Sequence, residues 1–177
     1  MKNESGFSLV ELLVVLGLTA MLALGGAVAI FHILRVSNQN SDWGRVIHET
    51  GTVGYWIGHD LPMADEISAD DPATPDTELL TLVWKDWETG AIYNIHYAIS
   101  GPPASLKQIE RRVYVYQVID GDNVVLESKA ITIAGNIYNA EITQEGALWK
   151  LSVESRSGSR SLVHEYEMYS RLNYLDL

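Results

Sequence analysis

From Leu12 to Leu34 the chain runs for 23 residues without a charge at neutral pH, His32 being counted as neutral. At 1.5 Å per residue this is roughly 35 Å of helix, enough to cross the hydrocarbon core of a bilayer. Such a run cannot serve as an ordinary water-facing element, so it divides the chain. Everything after Val36 mixes aromatic, apolar and charged residues as soluble domains do. Glu11 stands at the head of the apolar run, behind a short polar leader. A charge in hydrocarbon is expensive and usually faces a partner inside a protein bundle, so this carboxylate needs an explanation.

Two plain readings compete. A secretory signal peptide accounts for Lys2, the apolar middle and Ala27-Val28-Ala29, which has the small-x-small form of a cleavage site. It leaves Glu4 and Glu11 unexplained. An uncleaved signal anchor accounts for the length, but Lys2 and the amine on one side face Arg35 and Arg45 on the other, so the basic residues do not set its orientation.

A third reading uses every odd feature together. The stretch "GFSLVELLVVLGLTAML" (6–22) resembles the N-terminal motif of the type IV filament superfamily, the type IV pilins and type II secretion pseudopilins. The resemblance covers about the first 30 residues. It implies a leader of residues 1–6, cleavage by a prepilin peptidase between Gly6 and Phe7, and N-methylation of Phe7. Glu11 then becomes the fifth residue of the mature chain and an assembly residue, attracted by the new amine of Phe7 on its own or a neighbouring helix. Other pilins or pseudopilins, an inner-membrane assembly platform and its ATPase are the further partners implied. The location implied is the inner membrane, crossed once, with an extracytoplasmic C-terminal domain and assembly into a filament.

Gly17, Gly25 and Gly26 lie inside this helix, where each costs up to about 1 kcal/mol relative to Ala. Close packing against neighbouring helices is one reason to keep them; a segment that loosens in an assembled filament is another. Many pilins carry a helix-breaking proline in the stalk, and this chain has none before Pro62.

Beyond residue 36 the helix is expected to continue. Trp43, Val46, Ile47, Thr50, Val53, Gly54, Ile57 and Leu61 follow a three–four spacing, with Asp42, Arg45, Glu49 and Asp60 assigned to the other face. Pro62 sets an end near Leu61. The aromatic residues of "GYWIGHDLPMADEI" are expected in the core. "ISADDPATPDTE" reads as an exposed loop, whose Asp70, Asp71, Asp76 and Glu78 are assigned to solvent rather than to calcium, there being no EF-hand spacing. Strands are expected at 79–85, 91–100, 106–119 and 124–134. A last hairpin alternates Trp149, Leu151 and Val153 outward and returns Leu162, Tyr166 and Met168 on one face.

The fold class expected is α+β, a long N-terminal helix (membrane stalk continuing into the domain) packed on an antiparallel β-sheet domain. Its parts are a leader at 1–6, a stalk at 7–36 and a soluble domain at 37–177. This outline resembles J-type pseudopilins and PilW-like minor pilins, on the phrases "IGHDLPMADEI" and "YAISGPPASLKQIER".

The net charge is −11, and the region after Val36 holds 21 of the 23 carboxylates against 10 of the 12 Lys and Arg. That balance disfavours nucleic acid and anionic lipid as general partners. With no cysteine there is no disulfide or thiolate chemistry. No phosphate loop, dinucleotide fingerprint, nucleophile elbow or complete His-Glu-x-x-His motif occurs, so no catalytic residue, metal or cofactor is expected and the chain reads as structural. His48 and His59 share a helix face, an arrangement assigned to ordinary surface or core histidines. The alternative function is a DNA-uptake tip subunit. It would use Arg156 and Arg160 with Lys150 and Arg171, or Lys107, Arg111 and Arg112.

Overall fold

The computed structural model describes residues 8–69, 78–102, 105–119 and 122–171. Contacts divide the chain into two units, residues 1–41 and 42–177. A single helix, α1 (Leu9–Asp60), contributes to both. The architecture is the expected α+β arrangement of one long N-terminal helix and an antiparallel sheet.

In the first unit the described residues are helical from Leu9 onward, with apolar side chains exposed along the apolar run. Thr19 returns its hydroxyl to the Val15 carbonyl at 2.7 Å, which lets a polar side chain sit in an apolar stretch without an unpaired donor. A Cβ at Gly17, Gly25 or Gly26 would meet open space. Among the described residues nothing packs closely on these glycines.

The second unit carries the core. Its sheet has seven strands in sequence order: β1 (Glu66–Ser68), β2 (Glu78–Lys85), β3 (Ile92–Ser100), β4 (Lys107–Ile119), β5 (Asp122–Glu145), β6 (Leu148–Ser157) and β7 (Arg160–Tyr169). Every neighbouring pair is antiparallel. The part of α1 from residue 42 onward lies on one face and buries Val46, Thr50, Val53, Gly54 and Ile57, of which Val53 and Ile57 share one core cluster with Leu82, Ile95, Ile137, Leu151 and Val153. Each large aliphatic side chain buried this way contributes about 1.5–3 kcal/mol. The helix ends where Pro62 predicts, and Leu61–Met63 tighten into a 3₁₀ turn.

The contact stripe of α1 differs from the expected one. Trp43, Ile47 and Tyr55 are exposed, although the first two were placed on the buried face and Tyr55 in the core. Asp42, Glu49 and Asp60, expected on the solvent face, point to the sheet instead. They are spaced close to whole numbers of helical turns, so they share one stripe. Each has found donors on a different part of the sheet. Asp42 accepts from the Ser157 hydroxyl at 2.9 Å. Glu49 accepts from the Gly135 N–H at 2.7 Å and from Asn136 at 2.9 Å, where β5 leaves its register with β4. Asp60, only 1% exposed, accepts from Tyr97 Oη at 2.5 Å and from Arg111 Nε at 2.6 Å. Arg111 also lies over the Trp56 ring, 4.7 Å from its centre. A buried charge survives only with such partners, and a hydrophobic pattern cannot display them.

Two glycines are required by close approach. A Cβ on Gly54 would overlap the Tyr166 ring, whose hydroxyl donates to the Thr50 carbonyl at 3.0 Å. Gly158 combines a φ of 54° in the last hairpin turn with a Cβ position that would overlap the Asp42 carboxylate.

Two strands depart from expectation. The start of "ISADDPATPDTE" is an edge strand rather than loop, since Ile67 and Ser68 pair with Leu82 and Thr81. Strand β5 does not stop near residue 134 but runs on through Gly135 to Glu145, pairing first with β4 and then with β6.

Candidate functional site

Glu11 sits in the first turn of α1, and its environment is built locally. Ser8 precedes the helix, and its hydroxyl oxygen accepts from the Val10 N–H at 3.2 Å. The Glu11 carboxylate folds back and accepts from the Ser8 N–H at 3.1 Å. The Leu12 N–H donates to the Ser8 carbonyl at 3.2 Å. This is a capping box, Ser at the cap and Glu three residues on, which satisfies two of the four free N–H groups of the first turn. The carboxylate also faces the positive end of the helix dipole. Its signature, Ser-x-x-Glu before an apolar run, stands in the sequence at 8–11.

The arrangement aims the Glu11 carboxylate toward the start of the chain. Gly6 and Phe7, the expected cleavage and methylation positions, lie outside the described residues. A chain beginning at Phe7 would place its amine one residue ahead of Ser8, next in line to the group that Glu11 already contacts.

The other candidates are dispersed. Lys150 pairs with Glu145 at 2.6 Å. Arg156 pairs with Glu154 at 2.7 Å and lies over the Tyr138 ring. Arg160 approaches Trp43, and Arg171 pairs with Asp65, close to β1. Arg111 is committed to Asp60, and Arg112 to Glu110 at 2.9 Å. Five of the seven cations in the two sets are thus held in ion pairs.

The loop carboxylates Asp70, Asp71 and Asp76 lie outside the described residues. Glu78 accepts from His96 at 2.7 Å and from Thr81 at 3.0 Å. Burial pushes the Glu78 carboxyl up, but hydrogen bonds from His96 and Thr81, with the charges of His96 and Arg112, hold it below its ordinary value. Among the described residues no group of three or more His, Cys, Asp or Glu is placed to hold a metal ion. His48 and His59 are both exposed on α1.

Residues 1–27 match the family described as the prokaryotic N-terminal methylation motif. No curated protein and no solved structure matches the chain. The match supports a pilin-like subunit that is processed by prepilin peptidase and assembles with other pilins. The apolar helix, long enough by length and composition to cross a membrane, fits anchoring in the inner membrane.

Proposed function

We propose that this chain is a structural minor subunit of a type IV filament, either a pseudopilus of type II secretion or a type IV pilus, and not an enzyme. Prepilin peptidase cuts between Gly6 and Phe7 and methylates Phe7. The mature subunit waits in the inner membrane as a single-pass protein with its sheet domain on the extracytoplasmic side. The assembly platform and its ATPase then move it into the filament, where α1 packs among other pilin helices. Its nearest relatives in type would be J-type pseudopilins or PilW-like minor pilins.

The observation that carries the reading is the methylation motif, with Glu11 held at the third helical position by the Ser8 N–H. The exposed stripe Trp43, Ile47 and Tyr55, spaced for one helical face with Gly51 between, supports packing of α1 against neighbours. The alternative of DNA binding has no comparable support, because Lys150, Arg156, Arg171, Arg111 and Arg112 are held in ion pairs.

Intact-mass measurement of the protein extracted from membranes tests the proposal. The expected mass is that of a chain starting at N-methylated Phe7. A chain starting at Ile30 would establish a secretory signal peptide, and one retaining Met1 would establish a plain anchor.

A further inference from the structure

Among the described residues the β5 edge beyond β4 is open. From Asp122 to Ala134 this strand pairs with β4 on one side only, and β6 joins it no earlier than Ile137. Residues 122–130 are exposed throughout. Between irregularities at Leu126 and Ile133, where β5 has a residue with no opposite number on β4, the stretch Glu127–Thr132 is regular. An open, regular edge is a template for another strand.

We propose that this edge pairs with the same edge of a second copy, antiparallel, about a twofold axis through Ser128. In that register Glu127 of each copy lies opposite Lys129 of the other, so two opposite-charge pairs flank the axis. The regular pairing spans Glu127–Lys129 of each copy, and the bulged Leu126 closes it on either side. Cross-strand pairs of this kind stabilise antiparallel sheets, while like charges directly opposed destabilise them. The charges also select the register. Moving the axis to Glu127 sets Glu127 against itself, and moving it to Lys129 sets Lys129 against itself. Within its own chain Glu127 lies opposite Val115 and Lys129 opposite Val113. Among the described residues neither has an ion-pair partner. A lysine on an edge repels unrelated strands; here the same chain supplies the residue that answers it.

The pairing is small beside the roughly 1,200–2,000 Å² buried by stable interfaces, and the net charge of −11 opposes it at low ionic strength. It is therefore a weak association, raised by confining two copies to one membrane.

The absence of cysteine makes the test clean. Ser128→Cys in the full-length chain, in membranes at physiological ionic strength, puts two thiols across the axis within disulfide reach. Under mild oxidation it should form a disulfide-linked homodimer about tenfold or more faster than Ser159→Cys in the exposed hairpin turn, the advantage of a held pair. In the Ser128→Cys background, Glu127→Lys or Lys129→Glu alone should drop the rate to the control level. The two together should restore it. Dimer formation no faster than the control would overturn the proposal. So would a rate indifferent to charge reversal, or a double reversal that fails to restore it.

Discussion

The Tyr97 hydroxyl donates to Asp60 Oδ2 at 2.5 Å, joining the last turn of α1 to the middle of β3, and Arg111 Nε on β4 donates to the same oxygen. One carboxylate oxygen thus holds the helix end against two strands. Asp60→Ala leaves a guanidinium and a phenol facing a void. It is expected to cost about 3–5 kcal/mol, as breaking a buried ion pair does. Asp60→Asn keeps an acceptor and should cost less. Urea unfolding of residues 37–177, a fragment expected to fold without metal, reads both.

The same contact predicts an alkaline limit. Burial, then the charge and hydrogen bond of Asp60, push the Tyr97 phenol far above its ordinary value. The folded chain therefore keeps this proton at pH values where the unfolded chain releases it. Stability is fully present below the ordinary tyrosine value of about 10 and falls as pH rises beyond it. Tyr97→Phe should flatten this decline while lowering stability at neutral pH. Unfolding free energies measured from pH 7 to 11 check the slope.

Glu11 has two roles that one pair of variants separates. Glu11→Gln keeps the capping box, since glutamine serves at that position, but removes the charge. Glu11→Ala removes both. Both should leave cleavage after Gly6 and membrane insertion intact. If charge attraction drives docking, both should lose incorporation into filaments nearly equally. If the cap matters more, Glu11→Gln should assemble and only Glu11→Ala should fail. Co-purification with partner pilins from sheared filaments distinguishes the two.

The exposed stripe on α1 makes a parallel prediction. Ile47→Asp and Tyr55→Asp touch no buried residue of the sheet, so the unfolding midpoint of fragment 37–177 should barely move. Their incorporation into filaments should fall sharply, because a charge would be pressed into a helix–helix contact. Normal incorporation would remove this face from the assembly contact.

The sequence shows the points where backbone chemistry leaves few choices. Pro62 ends the helix, and the alternation of Trp149, Leu151 and Val153 places the last hairpin on the core. The rotation of α1 about its axis was misread for a definite reason. Trp43 and Ile47 are apolar and Asp60 is charged, so pattern alone turns the first two inward and the last outward. What reverses this is Arg111, 51 residues further on, together with Gly135 and Ser157. Those donors become visible only once the strands are in register. Strand β5 runs past the expected end at residue 134 through Gly135, whose N–H donates to Glu49. At the N-terminus the motif is legible because its marks are residue identities within one short stretch, Gly6 to Glu11, ahead of an apolar run. The capping box was legible too, and the question of charge hid it.

The contact between Tyr166 and the Thr50–Gly54 turn of α1 spans 116 residues of sequence. At roughly 5–20 residues per second of synthesis, about 6–23 s separate the emergence of the two partners. During that interval the middle of the helix lacks its closing ring, although each new strand can pair with the one made just before it. The element made first thus receives its last contact only when β7 is complete. A chain that stalls before β7 would leave the Thr50–Gly54 turn open on that side, a local exposure that a protease could read.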